Sequence, residues 1–331
     1  MKNDPRPPFP DGVLVVDKPE GPTSHDVVTL TRRVLGVSRI GHTGTLDPLA
    51  TGVLPLVIGR ATRLAQFLTA SDKSYDATIA FGRTTDTYDA QGREIATSPQ
   101  RPTRDALDAA LHPFRGAFEQ TPPAYSAKNI DGERSYDLAR KAARSAQARP
   151  VRRSPEGEGG SAKADDPAVS QRPKPVTVTA RHLDVLSFDG ETARLSMRVT
   201  AGFYVRSLAH DLGETLGCGA TLMALRRTQS GEFGLAPAVP LAEVLQSSRE
   251  HLSTRVVPMA ALLTDVPAVT LRGALNLERL KNGVEMGPGD LIAPLGSVPP
   301  LVRLLAPEGQ LVGLAKPGKA PGTLHGWVVL A

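Results

Sequence analysis

Strand-like and helix-like runs follow one another along this chain without a regular β–α–β beat, which favours an α+β fold over a doubly wound one. GVLVVDKP (12–19) is a β-branched apolar run stopped by Lys-Pro, the pattern of a buried strand entering a turn. PTSHDVVTLTRRVLG then offers Thr23 or Ser24 as a helix cap, apolar residues at 27, 30, 34 and 35, and Gly36 as a stop. KSYDATIAFG (73–82) alternates as a strand, whereas 103–112 and SYDLARKAARSA (135–146) read as helices. PVTVTARHLDVLSFDGETARLSMRVTAGFYV (175–205) predicts two or more strands around the Asp189–Gly190 turn, and RSLAHDLGETLGCG a helix after them. A mixed, mainly antiparallel central sheet is the expected result.

Composition divides the chain further. Between Gln147 and Pro175 there is no Leu, Ile or aromatic residue, so this stretch cannot bury enough apolar area to offset its ordering entropy and is expected to be a disordered insertion. From about Val266, LNLERLKNGVEM and short apolar runs parted by Gly and Pro predict a small strand-rich barrel with one short helix. The expected organisation is a flexible start over 1–11, a main domain over 12–262 and a small C-terminal domain over 266–331. No repeat with a period of 20 to 50 residues is visible.

Lys plus Arg number 39 against 34 Asp plus Glu, a net charge of +5 that suits a polyanionic partner. The single cysteine, Cys218, excludes an intrachain disulfide framework and fits a reducing, cytoplasmic setting; it reads as a small buried hydrophobe. The start is polar and proline-rich, and no window reaches eighteen consecutive apolar residues, so no membrane role is expected. The seven histidines form no HExxH or HxH pair, and no metal is expected.

GHTGTLDPLATG (41–52) surrounds one carboxylate, Asp47, with three glycines and three threonines. A P-loop would need GxxxxGK[ST], and neither the spacing nor the lysine is present. An aspartyl-phosphate site of the Asp-x-Asp-x-Thr kind would have Leu49 where its second acid belongs. A glycosidase pair stays open through Asp72 or Asp76. The other possibility is a lone aspartate acting as nucleophile or base, which needs a cation to stay ionised; an arginine partner is therefore the group to seek. Taken alone, Asp47 before Pro48 is a turn residue, Arg206 a surface arginine and Leu225 a core leucine.

Five segments in order, GVLVVDKPEGPTSHDVV, GHTGTLDPLATGVLPLVIGRATRLAQFL, KSYDATIAFGRTTDTYDAQG, QTPPAYSAKNIDGERSYDLAR and AGFYVRSLAHDLGETLGCGATLMALRRTQSGEF, resemble bacterial tRNA pseudouridine-55 synthases of the TruB type. The resemblance implies the pseudouridine synthase fold with a C-terminal PUA-like RNA-binding domain, the latter on a looser match. It implies isomerisation of uridine-55 in the tRNA T loop, with no cofactor and with tRNA as the partner; no obligate protein partner is predicted, and a monomer is expected independently of the resemblance. Asp47 falls on the family's catalytic aspartate; attack at C1′, addition to C6 and proton removal at C2′ all stay open for it. Arg206 falls on the arginine that pairs with that aspartate, and Tyr75 on the ring that stacks on the base, its hydroxyl placed to exchange a proton. Tyr204 and Leu225 match pocket residues, and His42 a residue that touches RNA where the target nucleotide leaves the stack. Lys18, with Pro19, matches the family's first motif and is grouped with the substrate contacts, supporting the tyrosine.

Overall fold

β1 (Gly12–Lys18) is apolar on both faces because both faces are covered: Val13 to Val16 are all buried. The computed structural model that shows this describes residues 7–123, 129–130, 133–134, 174–293 and 296–330. These fall into two units, Met1–Ser71 with Gln229–Ala331, and Asp72–Thr228.

In the first unit, α1 (Ser24–Leu35) begins and ends where its sequence says it should. The Thr23 hydroxyl accepts from the Asp26 amide while the Asp26 carboxylate accepts from the Thr23 amide, a complete capping box. Gly36, at φ 62°, closes the last turn by donating to the Arg32 carbonyl. β2 (Ile40–His42) and β3 (Thr51–Ile58) follow, and β3 pairs antiparallel with both β1 and β2. β1 also pairs parallel with Val239–Pro240, so the sheet is mixed. Of the start expected to be flexible over 1–11, residues 7–11 are described, and there Phe9 lies under the Arg249 guanidinium at 5.3 Å and Asp11 binds Arg60 at 2.5 Å.

In the second unit the sheet runs β4 (Lys73–Phe81), β5 (Gly116–Gln120), β6 (Val176–Phe188) and β7 (Thr192–Val199), with β4–β7, β7–β6 and β6–β5 all antiparallel. The β6–β7 turn forms at Asp189–Gly190: the Asp189 carboxylate accepts from the Glu191 and Thr192 amides, and Gly190 takes φ 94°. α2 (Arg104–Leu111) buries Leu107, Ala110 and Leu111, and α3 (Val205–Thr215) buries Leu208, Ala209 and Leu212. β8 (Ala220–Ser230) lies beside β4. The helix expected over 135–146 and the insertion expected over 147–175, apart from its last two residues, lie outside the described residues.

The tail returns to the first unit. β9 (Ala268–Thr270), β10 (Val302–Leu305), β11 (Leu311–Pro317) and β12 (Leu324–Val329) form a four-stranded sheet, with α4 (Ala274–Lys281) between the first two. Its own core holds Leu271, Leu280, Met286 and Leu304. Leu311, Leu314 and Leu330 instead join Val13, Val15, Val53 and Val57 in one cluster, so this sheet shares a core with β1 and β3.

Candidate active site

The loop between β2 and β3 carries Asp47. Two left-handed glycines, Gly44 at φ 115° and Gly52 at φ 101°, bracket it, and the Ala50 amide donates to the Asp47 carbonyl to close a turn. Leu46 and Leu49 are buried on either side of the half-buried Asp47. The Ser24 hydroxyl, in the first turn of α1, accepts from the Leu46 amide at 2.8 Å and donates to the Leu46 carbonyl at 3.1 Å. The Gly21 amide donates to the Pro48 carbonyl at 2.9 Å.

Beneath the loop lies Lys18, 0 % exposed. Its ammonium donates to the carbonyls of Pro19 at 2.9 Å, Pro48 at 3.3 Å and Ala50 at 2.6 Å. A buried cation is tolerated only with such a set of acceptors, and charge-assisted bonds to neutral carbonyls are among the stronger ones a loop can have. Lys18, expected among the substrate contacts, holds the backbone on the C-terminal side of Asp47. His42 ends β2, half-buried, opposite Leu56 of β3.

The other expected site residues belong to the second unit. Tyr204 stands at the N-cap of α3 in extended backbone, where Gln120 grips it twice: the Tyr204 amide donates to Oε1 at 2.8 Å, and Nε2 donates to the Tyr204 carbonyl at 3.0 Å. Gln120 is fully buried at the end of β5, and the Ser207 hydroxyl adds a bond to the Thr121 carbonyl at 2.8 Å. The first turn of α3 is thus tied to the end of β5, which fixes where Arg206 starts. Arg206 is no surface arginine: it is 6 % exposed, its Nη1 donates to the Thr87 carbonyl at 3.3 Å, and that atom lies 3.7 Å from Asp89 Oδ2.

Asp89, which the sequence did not single out, is the acid beside this guanidinium. It is buried, and its Oδ1 accepts from the Thr87 hydroxyl at 2.7 Å and the Gln91 amide at 3.1 Å, leaving Oδ2 toward the guanidinium. A charge pair desolvated on both sides is strongly felt, and it is kept by the hydrogen bonds around it. The available signal was the Thr-x-Asp-x-x-Gly spacing in TYDAQG. Gly92 is required there, since a Cβ would fall 2.2 Å from Thr87 Oγ1 and 3.0 Å from its amide.

Tyr75 sits on the buried face of β4 opposite Met197, and Leu225 is buried on the neighbouring β8. Lys73, two residues before Tyr75 on the same face, is also buried. Burial first, and then the nearby Arg227 charge, pull its ammonium down to about 8. On α3, burial and then the charge of Glu214 push Asp211 up to about 6. Among the described residues no three His, Cys, Asp or Glu side chains gather to hold a metal ion. None of the described helices is long and apolar enough to cross a membrane.

A chain in the crystal structure of a Cbf5–Nop10–Gar1 complex has the same fold, with a TM-score of 0.69 at 23% identity over 100% of this chain and 91% of that one. A chain from the archaeal box H/ACA sRNP Nop10–Cbf5 complex gives 0.68 at 22% identity, covering 99% and 89%. These likenesses show a shared fold, a mixed and mainly antiparallel sheet followed by a small strand-rich domain. Residues 32–153 match the TruB family pseudouridylate synthase (N terminal domain), and residues 206–264 the tRNA pseudouridylate synthase B C-terminal domain. The tRNA pseudouridine synthase B of Solibacter usitatus (strain Ellin6076) is 40% identical over 97% of this chain and 100% of its own length; that of Cupriavidus metallidurans is 39% identical over 92% and 90%. The chain belongs to the TruB family.

Proposed function

We propose that this chain converts uridine-55 in the T loop of tRNA to pseudouridine, with Asp47 as the nucleophile or base. Membership of the TruB family supports the reaction class and the tRNA substrate. The observation that carries the assignment to Asp47 is the set of bonds holding its loop: Lys18 and Ser24 fix the backbone on each side and leave the carboxylate half-buried. Such preorganisation is what a group needs if it is to act at one position of a bound nucleotide.

In this reaction the N1–C1′ bond breaks, the uracil turns while held, and a C5–C1′ bond forms; the proton lost from C5 is balanced by one gained at N1. Nothing is oxidised or reduced, and no cofactor is required. The uridine must first leave the stack of the folded T loop, with His42 contacting the RNA at that point. Tyr75 stacks on the everted base, with Tyr204 and Leu225 as further pocket residues, and its hydroxyl accepts or donates a proton late in the reaction. Arg206 is the counter-ion of Asp47 in the substrate complex, while Asp89 and the Thr87 carbonyl hold the guanidinium from behind. The tail sheet adds phosphate contacts to the tRNA, consistent with the net charge of +5. The enzyme acts as a cytoplasmic monomer.

Incubating the protein with an unmodified tRNA transcript and mapping pseudouridine by carbodiimide-dependent primer arrest tests this reading. A single stop at position 55 is expected, and no stop, or stops only elsewhere, would overturn it.

A further inference from the structure

Tyr88 has a backbone that does not suit it. Its φ is 65°, in the left-handed region that glycine occupies freely and an aromatic residue rarely does. Its two chain neighbours each supply a group that touches Arg206 Nη1, the Thr87 carbonyl at 3.3 Å and the Asp89 carboxylate at 3.7 Å. The strained residue is thus the hinge of the turn that receives the guanidinium.

The Tyr88 ring lies flat on the imidazole of His210, with centroids 3.9 Å apart and planes 6° from parallel. His210 follows Arg206 by four residues in α3, so the two side chains leave the same face of the helix one turn apart. The stack therefore joins the turn that holds Arg206 to the helix that carries Arg206. Tyr88 is also anchored by its main chain, whose amide donates to the Thr85 carbonyl at 3.2 Å and whose carbonyl accepts from the Leu222 amide at 3.0 Å, while the Ala90 amide donates to the Leu222 carbonyl at 2.9 Å. Those bonds set the path of the turn along β8, and the ring sets its distance from α3.

We propose that Tyr88 and His210 are positioning residues for the reaction: their stack fixes the Arg206 guanidinium against the Thr87 carbonyl and Asp89, and the left-handed backbone at 88 is held for that purpose. This rests on the reading that Arg206 serves catalysis.

The decisive variant is Tyr88→Gly, because glycine relieves the backbone strain while deleting the ring. Stability and positioning are then expected to move in opposite directions. The thermal midpoint of Tyr88→Gly should equal or exceed that of the wild type, while kcat on tRNA falls about tenfold with KM within about twofold. Tyr88→Phe, which keeps the stack, should restore kcat to within about twofold. His210→Ala should resemble Tyr88→Gly, and the double variant should be no worse than either single one, because both remove one interaction. Wild-type kcat in Tyr88→Gly, a kcat loss that tracks a lowered midpoint, or additive losses in the double variant would overturn the proposal. Wild-type protein and Asp47→Asn are assayed alongside; an inactive wild type would sink the proposed activity rather than the stack. The stack has its own readout in that case, as Tyr88→Gly should speed hydrogen exchange at the Arg206 guanidinium, and unchanged exchange would overturn it.

Discussion

A lysine with no solvent exposure survives in Lys18 because three carbonyls receive its ammonium. Lys18→Met keeps most of the volume but strands those oxygens, and should cost about 2 kcal/mol, or roughly 5 °C in thermal midpoint, with turnover falling as the Asp47 loop relaxes. Arginine should not substitute, its planar fork being too large for the site. A wild-type midpoint for Lys18→Met would contradict the loop-support role. Asp211 gives a prediction of opposite sign. Its folded pKa of about 6 lies above the ordinary 3.8, so the stability linked to its proton is present below that lower value and is lost as pH rises through about 6. At pH 7.5 Asp211→Asn should raise the midpoint by about 2 to 4 °C and flatten its slope between about pH 4 and 6. An unchanged pH profile would show that the carboxylate is solvated. At this scale the sequence singled out Asp47, since one acid among permissive glycines and a family motif both pointed to it, and its glycine-bracketed loop was legible. It hid the direction of Lys18 and the partnership of Asp89, because the first depends on which way a long side chain turns and the second on a turn closed by side-chain hydrogen bonds.

Elements were legible where their ends were. Thr23, Asp26 and Gly36 bound α1 in the sequence as they do in the structure, and Asp189–Gly190 marks the β6–β7 turn. The seating of α3 was not legible, because it depends on one glycine whose neighbours come from outside the helix. A Cβ on Gly213 would lie 2.1 Å from the Ala220 amide nitrogen and 2.5 Å from the Gly219 carbonyl carbon, both backbone atoms at the start of β8. Helix propensity alone predicts that Gly213→Ala stabilises by about 1 kcal/mol. The packing predicts the reverse, a midpoint lowered by at least about 5 °C, because α3 must move off β8 and take Arg206 with it. A stabilised Gly213→Ala would show that the contact yields.

At the level of the whole chain, the α+β class and the strand-rich tail were both visible in the hydrophobic patterning. The bonding of the tail to the first strands was not. Short runs between Gly and Pro announce a barrel of their own, whereas Leu311, Leu314 and Leu330 complete a cluster with Val13 and Val53, a pairing between distant segments that no local periodicity encodes. Arg60 and Arg63 add bonds to the carbonyls of Leu330 and Val329. The central claim concerns one carboxylate, and tritium release from tRNA labelled at uridine C5 reads it directly. Wild-type protein should release one tritium per tRNA, and Asp47→Asn should release none while still binding the same tRNA. Release by Asp47→Asn at the wild-type rate would contradict the claim.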